Sequence, residues 1–437
     1  MNARVLPPRL PPLPARKSAI LSVLDIGTSK IVCLVARLNP SDPSDLQRGR
    51  THRTRVLGIG HQRSRGIKGG AVADMEAAEA AIRFAVDAAE RMAGVQVESV
   101  IINATGGRLA SHLYDAKVAV AGQTITEFDV HRVLEACTRR GEQQGRAVLH
   151  ALPIGFALGE TRHIQDPRGM VGDELAASMH MLSCDTAAAR NLMLAVERCH
   201  LTVDAMIATP YAAGLAALAE DEAELGAALI DMGAGTTSVS VFSGGTLTHV
   251  DGFALGGNHV TLDIARGLGI TLADAERLKT LYGACLSSAT DESETVAVVR
   301  NGEEHERPAH LPKAQLIAII KPRVEEILEL VRDRLKLAGL PAHTERRLVL
   351  TGGAAQLTGM PAAVKRIVSG QVRIGRPLGI KGLPESAKSP AFAACVGLLI
   401  YPQVSGVEYF RTRRTAQPDG AAQSYIGRIG QWLKRSF

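Results

Sequence analysis

The chain has 437 residues, 46% of them apolar, a formal net charge of +6, and six cysteines (Cys33, Cys137, Cys184, Cys199, Cys285, Cys395) with no close pairs. That length exceeds one core and predicts two domains with subdivisions, while scattered thiols in apolar segments exclude a disulfide or zinc framework and predict reduced residues of a cytoplasmic protein. The positive excess is modest and aromatics make up only 3%, so no nucleic-acid partner is expected and the arginines between Arg48 and Lys68 read as a solvated basic face.

In chain order, residues 1–18 carry Pro7, Pro8, Pro11, Pro12 and Pro14 among arginines and predict a disordered, polyproline-like arm. The apolar run Ala19–Leu24 enters the turn Asp25-Ile-Gly-Thr-Ser-Lys30 and leaves through Ile31 and Val32. This spells a β-hairpin whose tip presents Gly27, Thr28, Ser29 and Lys30. Glycine lets backbone approach an anion, clustered N–H groups cradle phosphate, and the aspartate can hold a hydrated divalent cation. A strand at Thr54–Gly60, a helix from Asp74 (its N-cap) to Met92 and a strand at Ser99–Asn103 follow. From about 100 to 183, short strands (116–120, 147–152, 178–182) alternate with one helix over 127–140; the helix Thr186–Cys199 comes next.

The second half repeats the outline. Ala227–Ile230 enters Asp231-Met-Gly-Ala-Gly-Thr-Thr237, which predicts a second hairpin with Gly233, Ala234, Gly235, Thr236 and Thr237 at or beside its tip. Two such turns suggest duplicated domains that clamp a nucleotide phosphate tail from both sides. Helices are expected at 260–267 and 272–282, and a loop or hairpin at 287–307. A long amphipathic helix over 311–338 should be kinked or bounded at Pro322 and end at Gly339, before Pro341. A strand at Arg347–Leu350 leads into a third glycine turn, Thr351-Gly-Gly-Ala-Ala-Gln356, where Gly352, Gly353 and Ala354 would let the chain pass flat against a purine or ribose; a plain strand-to-helix connection reads the same way. Helices at Met360–Val368 and Ala391–Tyr401 close the body. Glu276 and Lys279 share a helix face and could reach ribose hydroxyls and a base edge, or form an ordinary surface ion pair. Asp25 and Asp231 are candidate magnesium holders, through water, or turn-forming aspartates that bond their own backbone.

No apolar run approaches bilayer-spanning length, and the N-terminus lacks a signal-peptide core. The last fourteen residues instead predict a helix lying in a membrane interface. Tyr425, Ile426, Ile429, Trp432, Leu433 and Phe437 share one arc, with Arg428, Lys434 and Arg435 off it. A terminal helix docked on its own domain has the same pattern, but a polar linker over 402–422 favours the membrane.

The order of the three turns resembles the superfamily of actin, heat-shock chaperone and sugar-kinase ATPases. Ser64-Arg-Gly-Ile-Lys-Gly-Gly70, Gly256–Ala265, Asp274-Ala-Glu-Arg-Leu-Lys279 and Arg373-Ile-Gly375 narrow it. With them the chain resembles the FtsA family of bacterial cell-division proteins over nearly its whole length. The resemblance implies an α/β, actin-like ATPase fold with ATP and magnesium between two domains. Its subdomains would be 19–99 with 184–225 (1A), 100–183 (the family's own insert, 1C), 226–260 with 346–401 (2A) and 261–345 (2B). The linker 402–422 and the amphipathic helix 423–437 follow. It also implies that Glu276 and Lys279 face the nucleoside, that the protein self-associates into protofilaments on anionic inner-membrane lipids, that it tethers the tubulin-like FtsZ at the division site, and that later division proteins contact 100–183. An FtsZ tail is an acidic, apolar peptide, so Arg323 is the candidate contact, a solvent-facing arginine being the plain alternative. Where actin relatives place a water-positioning Gln or Glu this chain has Ile207-Ala-Thr-Pro-Tyr211, so Thr209 is the catalytic candidate and slow ATP turnover is expected. A pilus-assembly adaptor and a small-molecule kinase of the superfamily remain as alternatives.

Overall fold

The computed structural model describes residues 7–10, 13–14, 16–41, 49–105, 109–299, 309–340 and 346–409. Two sheets share one plan. The first runs, in spatial order, His52–Arg63, Lys30–Pro40, Ala19–Ile26, Ser99–Ala104, Thr202–Ala208, with Ile380–Lys381 added beside His52–Arg63. The second runs Thr246–Phe253, Thr237–Ser243, Ala227–Met232, Arg347–Thr351, Gln371–Ile374. In each, three antiparallel strands join two that run parallel to the third. Residues 31–36 and 227–230 are buried without alternation, as expected where helices cover both faces of a sheet.

Those helices follow their local signals. Asp74 caps Met75–Ala93 by accepting from Ala77 N, and Gly94 ends it in the left-handed region, with Ala78, Ala81, Ile82, Ala85, Val86 and Ala89 buried. Ala393–Val404 is buried on all sides over residues 395–402. The stretch Pro390–Val407 is, by length and composition, apolar enough to cross a bilayer, contrary to the sequence expectation, yet 61% of it lies inside the body. A helix buried all round is apolar all round.

An antiparallel sheet of Ala110–Ala119, Glu174–Asp185, Arg146–Leu158 and Thr161–Ile164, in that spatial order, is inserted between two strands of the first sheet, Ser99–Ala104 and Thr202–Ala208. It packs on Glu127–Gly141 around Val133, Cys137, Leu175 and Met179. The strand Ser99–Ala104 belongs to the first sheet, so the inserted unit begins after it rather than at residue 100. In the second half, Gly257–Leu268, Leu272–Tyr282, the hairpin Thr295–Val298/Ala309–Pro312 and the helix Lys313–Leu337 form the outer layer.

Three expectations are corrected. Of the kink or boundary expected at Pro322, the boundary is excluded, because Lys313–Leu337 continues through it. The proline is exposed, as is Ala318 four residues back, so the carbonyl it leaves unbonded lies on the solvent side of the helix. Part of the proline-rich arm packs on the body: Pro7 is buried, Leu10 and Leu13 lie against the main core, and Arg9 donates to Leu149 O and, at 2.7 Å, to Val148 O. The linker expected from residue 402 does not begin there, because residues 402–409 belong to the folded body. Glu408 meets the buried His150 Nδ1 at 2.9 Å, and Tyr409 N donates to Ala151 O at 2.9 Å while its ring enters the core of the inserted sheet. Five cysteines are buried and Cys199 half-buried, all as free thiols. The residues expected to contact a membrane (Tyr425, Ile426, Arg428, Ile429, Trp432, Leu433, Lys434, Arg435 and Phe437), and Pro341, lie outside the described residues.

Candidate functional site

The duplicated sheets aim their two hairpin tips at one another. Both turns close the same way, Gly27 N donating to Lys30 O at 3.0 Å and Gly233 N to Thr236 O at 2.9 Å. The tips meet: a Cβ on Gly235 would lie 2.7 Å from Thr28 Oγ1 and 2.9 Å from its Cγ2, so no side chain fits there.

Beneath the first tip, Asn103 at the end of its strand is buried and donates through Nδ2 to Asp25 Oδ1 at 2.6 Å, while its Oδ1 accepts from Ile26 N at 2.7 Å. The same Nδ2 lies 3.2 Å from Thr209 Oγ1, which is 2.6 Å from Thr105 Oγ1. Thr209, at the start of the helix Thr209–Ala217, therefore stands beside Asp25 with its hydroxyl engaged. The segment Ser64–Gly70 clasps this tip, with Ser64 N donating to Ser29 O at 3.0 Å and Gly70 N to Thr28 Oγ1 at 3.2 Å. Ser64 Oγ is buried there without a partner. Lys30 Nζ sits 3.6 Å from the Phe392 ring centroid, a geometry that favours the cation.

Around the second tip, Gly257 N and Asn258 N, at the start of Gly257–Leu268, donate to Gly233 O and Ala234 O at 3.0 and 2.8 Å. Gly352 (φ +85°) lies across Asp231, whose Oδ1 would be 2.5 Å from a Cβ placed there, and Met232 O is closer still. The third turn's nearness to the second is thus backbone to backbone. Gly353 opens the short 3-10 turn Ala354–Gln356. Ala354 reaches the glycine at the helix start, its Cβ 3.3 Å from where a Cβ on Gly257 would be. Lys279 Nζ bonds Gly257 O at 3.1 Å, Thr261 Oγ1 at 2.8 Å and Glu276 Oε2 at 2.6 Å, and Thr261 Oγ1 donates to Glu276 Oε2 at 2.5 Å. The pair anticipated from helix spacing is thus assembled and turned toward the second and third turns.

Burial sets the charge state. The Asp25 carboxyl is pushed up to about 6 by burial, against the pull of Lys30. Asp231 is pushed up to about 7, by burial and then by the charge of Asp25, again against Lys30. Burial also draws the Lys30 ammonium down, with Asp25 among the charges opposing it. Two carboxylates and one ammonium thus interact below the tips, Asp25 buried and Asp231 and Lys30 half-buried. Among the described residues no cluster of three or more His, Cys, Asp or Glu is placed to hold a metal ion. A cation held by Asp25 and Asp231 would need water or phosphate oxygens to complete its shell, the habit of magnesium. The donor set fits that ion and an anionic tail: two glycine turns, an unpartnered hydroxyl and two carboxylates that a cation would ionise.

Arg323 lies far from this cleft, on the helix Lys313–Leu337. Its Nε and Nη2 bind Asp263 at 2.6 and 3.3 Å and its Nη1 meets Glu326, so its charge is already balanced within the chain. Sequence reasoning missed Asn103, Thr105 and Thr261. The available signal for Asn103 was a polar residue closing the apolar run that starts at Ser99, at a strand's carboxyl end, where open α/β sheets place ligands.

Two sheets of one plan, joined by a cleft with opposed glycine hairpins, define an actin-like ATPase fold. The type IV pilus complex of PilM and PilN has this fold, with a TM-score of 0.60 at 16% identity over 88% of this chain and 98% of that one. The family model for cell division protein FtsA matches residues 228–397, and that for the SHS2 domain inserted in FtsA matches 106–183, the segment of the four-stranded antiparallel sheet. Cell division protein FtsA of Rhizobium meliloti is 49% identical over 98% of both chains, and that of Escherichia coli 34% identical over 95% of this chain and 97% of its own. The chain belongs to the FtsA family of cell-division proteins.

Proposed function

We propose that this cell-division protein binds ATP with magnesium between its two hairpin tips, polymerises on the inner membrane, and tethers FtsZ there through an amphipathic C-terminal helix. The observation that carries the nucleotide reading is the closed contact of Gly235 with Thr28 above the shared pocket of Asp25, Asp231 and Lys30. Gly27–Lys30 and Gly233–Thr237 would cradle the phosphates with backbone N–H groups. Asp25 and Asp231 would hold magnesium, which neutralises phosphate charge when bound. Glu276, Lys279 and the turn Gly352–Ala354 would take the nucleoside. Thr209 is the hydroxyl offered at the position for orienting water, and it already bonds Asn103 and Thr105, so turnover is slow and the nucleotide serves mainly as a switch.

Polymerisation and tail act together. One short amphipathic helix binds reversibly, and a filament multiplies weak sites into an avid one. FtsZ would dock on the outer layer of the second half, 261–345. Arg323 could serve there only by exchanging Asp263 for an acidic peptide.

The test is co-sedimentation with anionic liposomes and ATP, comparing the full chain with one ending at Ala422. Tail- and ATP-dependent pelleting that carries purified FtsZ is the expected result. Pelleting without FtsZ would leave a membrane adaptor of another kind, and absence of tail dependence would remove the anchor.

A further inference from the structure

Three cations stand side by side on the first sheet, with no counter-charge among the described residues. In the strand register Ile20 lies opposite Arg37, Arg37 opposite Arg55, and Arg55 opposite Lys381, making one lateral row across four strands. All four side chains are exposed. Like charges directly opposite one another on adjacent strands are destabilising, and among the described residues no ion pair or side-chain hydrogen bond involves Arg37, Arg55 or Lys381. Such a row costs stability in isolation and gains it only against an anion.

Its place in the fold indicates which anion. Arg37 and Arg55 neighbour the pair Leu38–Thr54, at the end of the sheet away from the glycine turn. Thr54 Oγ1 accepts from Gln403 Nε2 at 3.2 Å, and Gln403 Oε1 accepts from the N–H groups of Thr51 and His52, each at 3.0 Å. The last turn of the C-terminal core helix is therefore fastened to the strand that carries the middle cation. From Gln403 the chain runs six positions to Tyr409, which is bonded to Ala151 of the inserted sheet.

We propose that the row Arg37–Arg55–Lys381 is a second membrane contact, seated on anionic lipid headgroups, with Ile20 supplying an apolar edge. The proposal rests on the tail-tether reading above. A single short helix is a marginal anchor, and a basic patch is the kind of second signal that stabilises attachment. A row fixed across four strands also does what a tail on a linker cannot: it sets which side of the body faces the bilayer.

The experiment compares the full chain with its Arg37→Ser/Arg55→Ser/Lys381→Ser variant on phosphatidylglycerol-containing and on pure phosphatidylcholine vesicles, across a salt series. Each surface cation should contribute about fivefold, so the triple variant should bind anionic vesicles on the order of a hundredfold more weakly, with a shallower salt dependence. Binding to neutral vesicles should be unchanged. Removing opposed like charges should leave thermal unfolding unchanged or raise it, and Arg55→Glu, which places a carboxylate between two cations, should remain folded yet lose most of the effect. Equal affinity of parent and triple variant for anionic vesicles overturns the proposal. The chain ending at Ala422 separates the two readings. If truncation abolishes pelleting while the triple variant binds like the parent, the tether stands and the row falls. If the truncated chain keeps salt-sensitive binding that the triple substitution removes, the row stands and the tail reading falls. A triple variant that loses only duplex-DNA binding would reassign the row to nucleic acid and overturn the membrane contact.

Discussion

The two hairpins that face each other across the cleft share a local sequence, Asp-x-Gly, and a turn geometry, but what lies beneath each is different. Asp25 is gripped by the buried amide of Asn103, which also holds the backbone of Ile26, and its tip is clasped by Ser64–Gly70. Asp231 has a glycine of the third turn laid across it, and its tip carbonyls are capped by a helix start that also carries the reach of Lys279. The first half thus fixes a carboxylate with a buried amide, and the second packs backbone of the third turn and a helix start around one. Burial holds both acids above the ordinary carboxylate range, Asp25 to about 6 and Asp231 to about 7, the latter also through the charge of Asp25. Duplication supplies the symmetric cradle, and the unlike surroundings give the two acids different partners.

The largest effect should come from breaking the contact between the tips. Gly235→Val places atoms inside Thr28 and should lower ATP affinity by about a hundredfold or more in calorimetry, roughly 3 kcal/mol. Combining Gly235→Ala with Thr28→Ala, which removes the two nearest atoms, should lose less than Gly235→Ala alone; equal losses would mean the tips do not need to meet.

A middle-sized effect sharpens the difference beneath them. Asn103→Leu leaves both the Asp25 carboxylate and Ile26 N without their partner, and should cost roughly 2–4 kcal/mol in urea unfolding. It should also move the onset of magnesium-dependent ATP binding to higher pH, because Asp25 loses a donor that favours its charged form. A change in stability with no shift in that onset would disconnect Asn103 from the cation site.

The smallest effect is in pH. Both acids rise from 3.8 in the ordinary state to about 6 and 7 in the fold, so folding takes up protons between those limits. Their contribution favours the native state at the acid end and is lost as pH rises through about 7. The melting temperature of nucleotide-free protein should accordingly fall slightly from pH 6 to 8, magnesium–ATP affinity should rise over the same interval, and Asp231→Asn should flatten the upper part of both curves. An unchanged melting curve in that variant would remove Asp231 from the titrating pair.

How much of this was legible in the sequence depends on distance along the chain. Each glycine hairpin, the Asp74 cap and the Glu276–Lys279 pair are local, set by residues within a few positions, and they could be read directly. Asn103 reaches Asp25 across 78 positions and His150 meets Glu408 across 258, so periodicity carries no trace of either. The same limit explains the corrections. Proline and arginine at the N-terminus indicate an extended arm, but Arg9 finds carbonyls of a strand far along the chain. The stretch 405–409 looks polar, yet its glutamate and tyrosine are buried against the inserted sheet.

By itself, the sequence determined the repeated turn chemistry and the helix caps, because backbone freedom and hydrogen-bond capping act over one or two turns of chain. Tertiary structure alone decided that the two tips touch, that Asp25 and Asp231 come close enough to raise one another's charge cost, that Arg323 is neutralised by Asp263, and that three cations stand in a row. These depend on which strands pair and in what register, and electrostatic interaction grows only when folding brings distant charges together and removes the water between them.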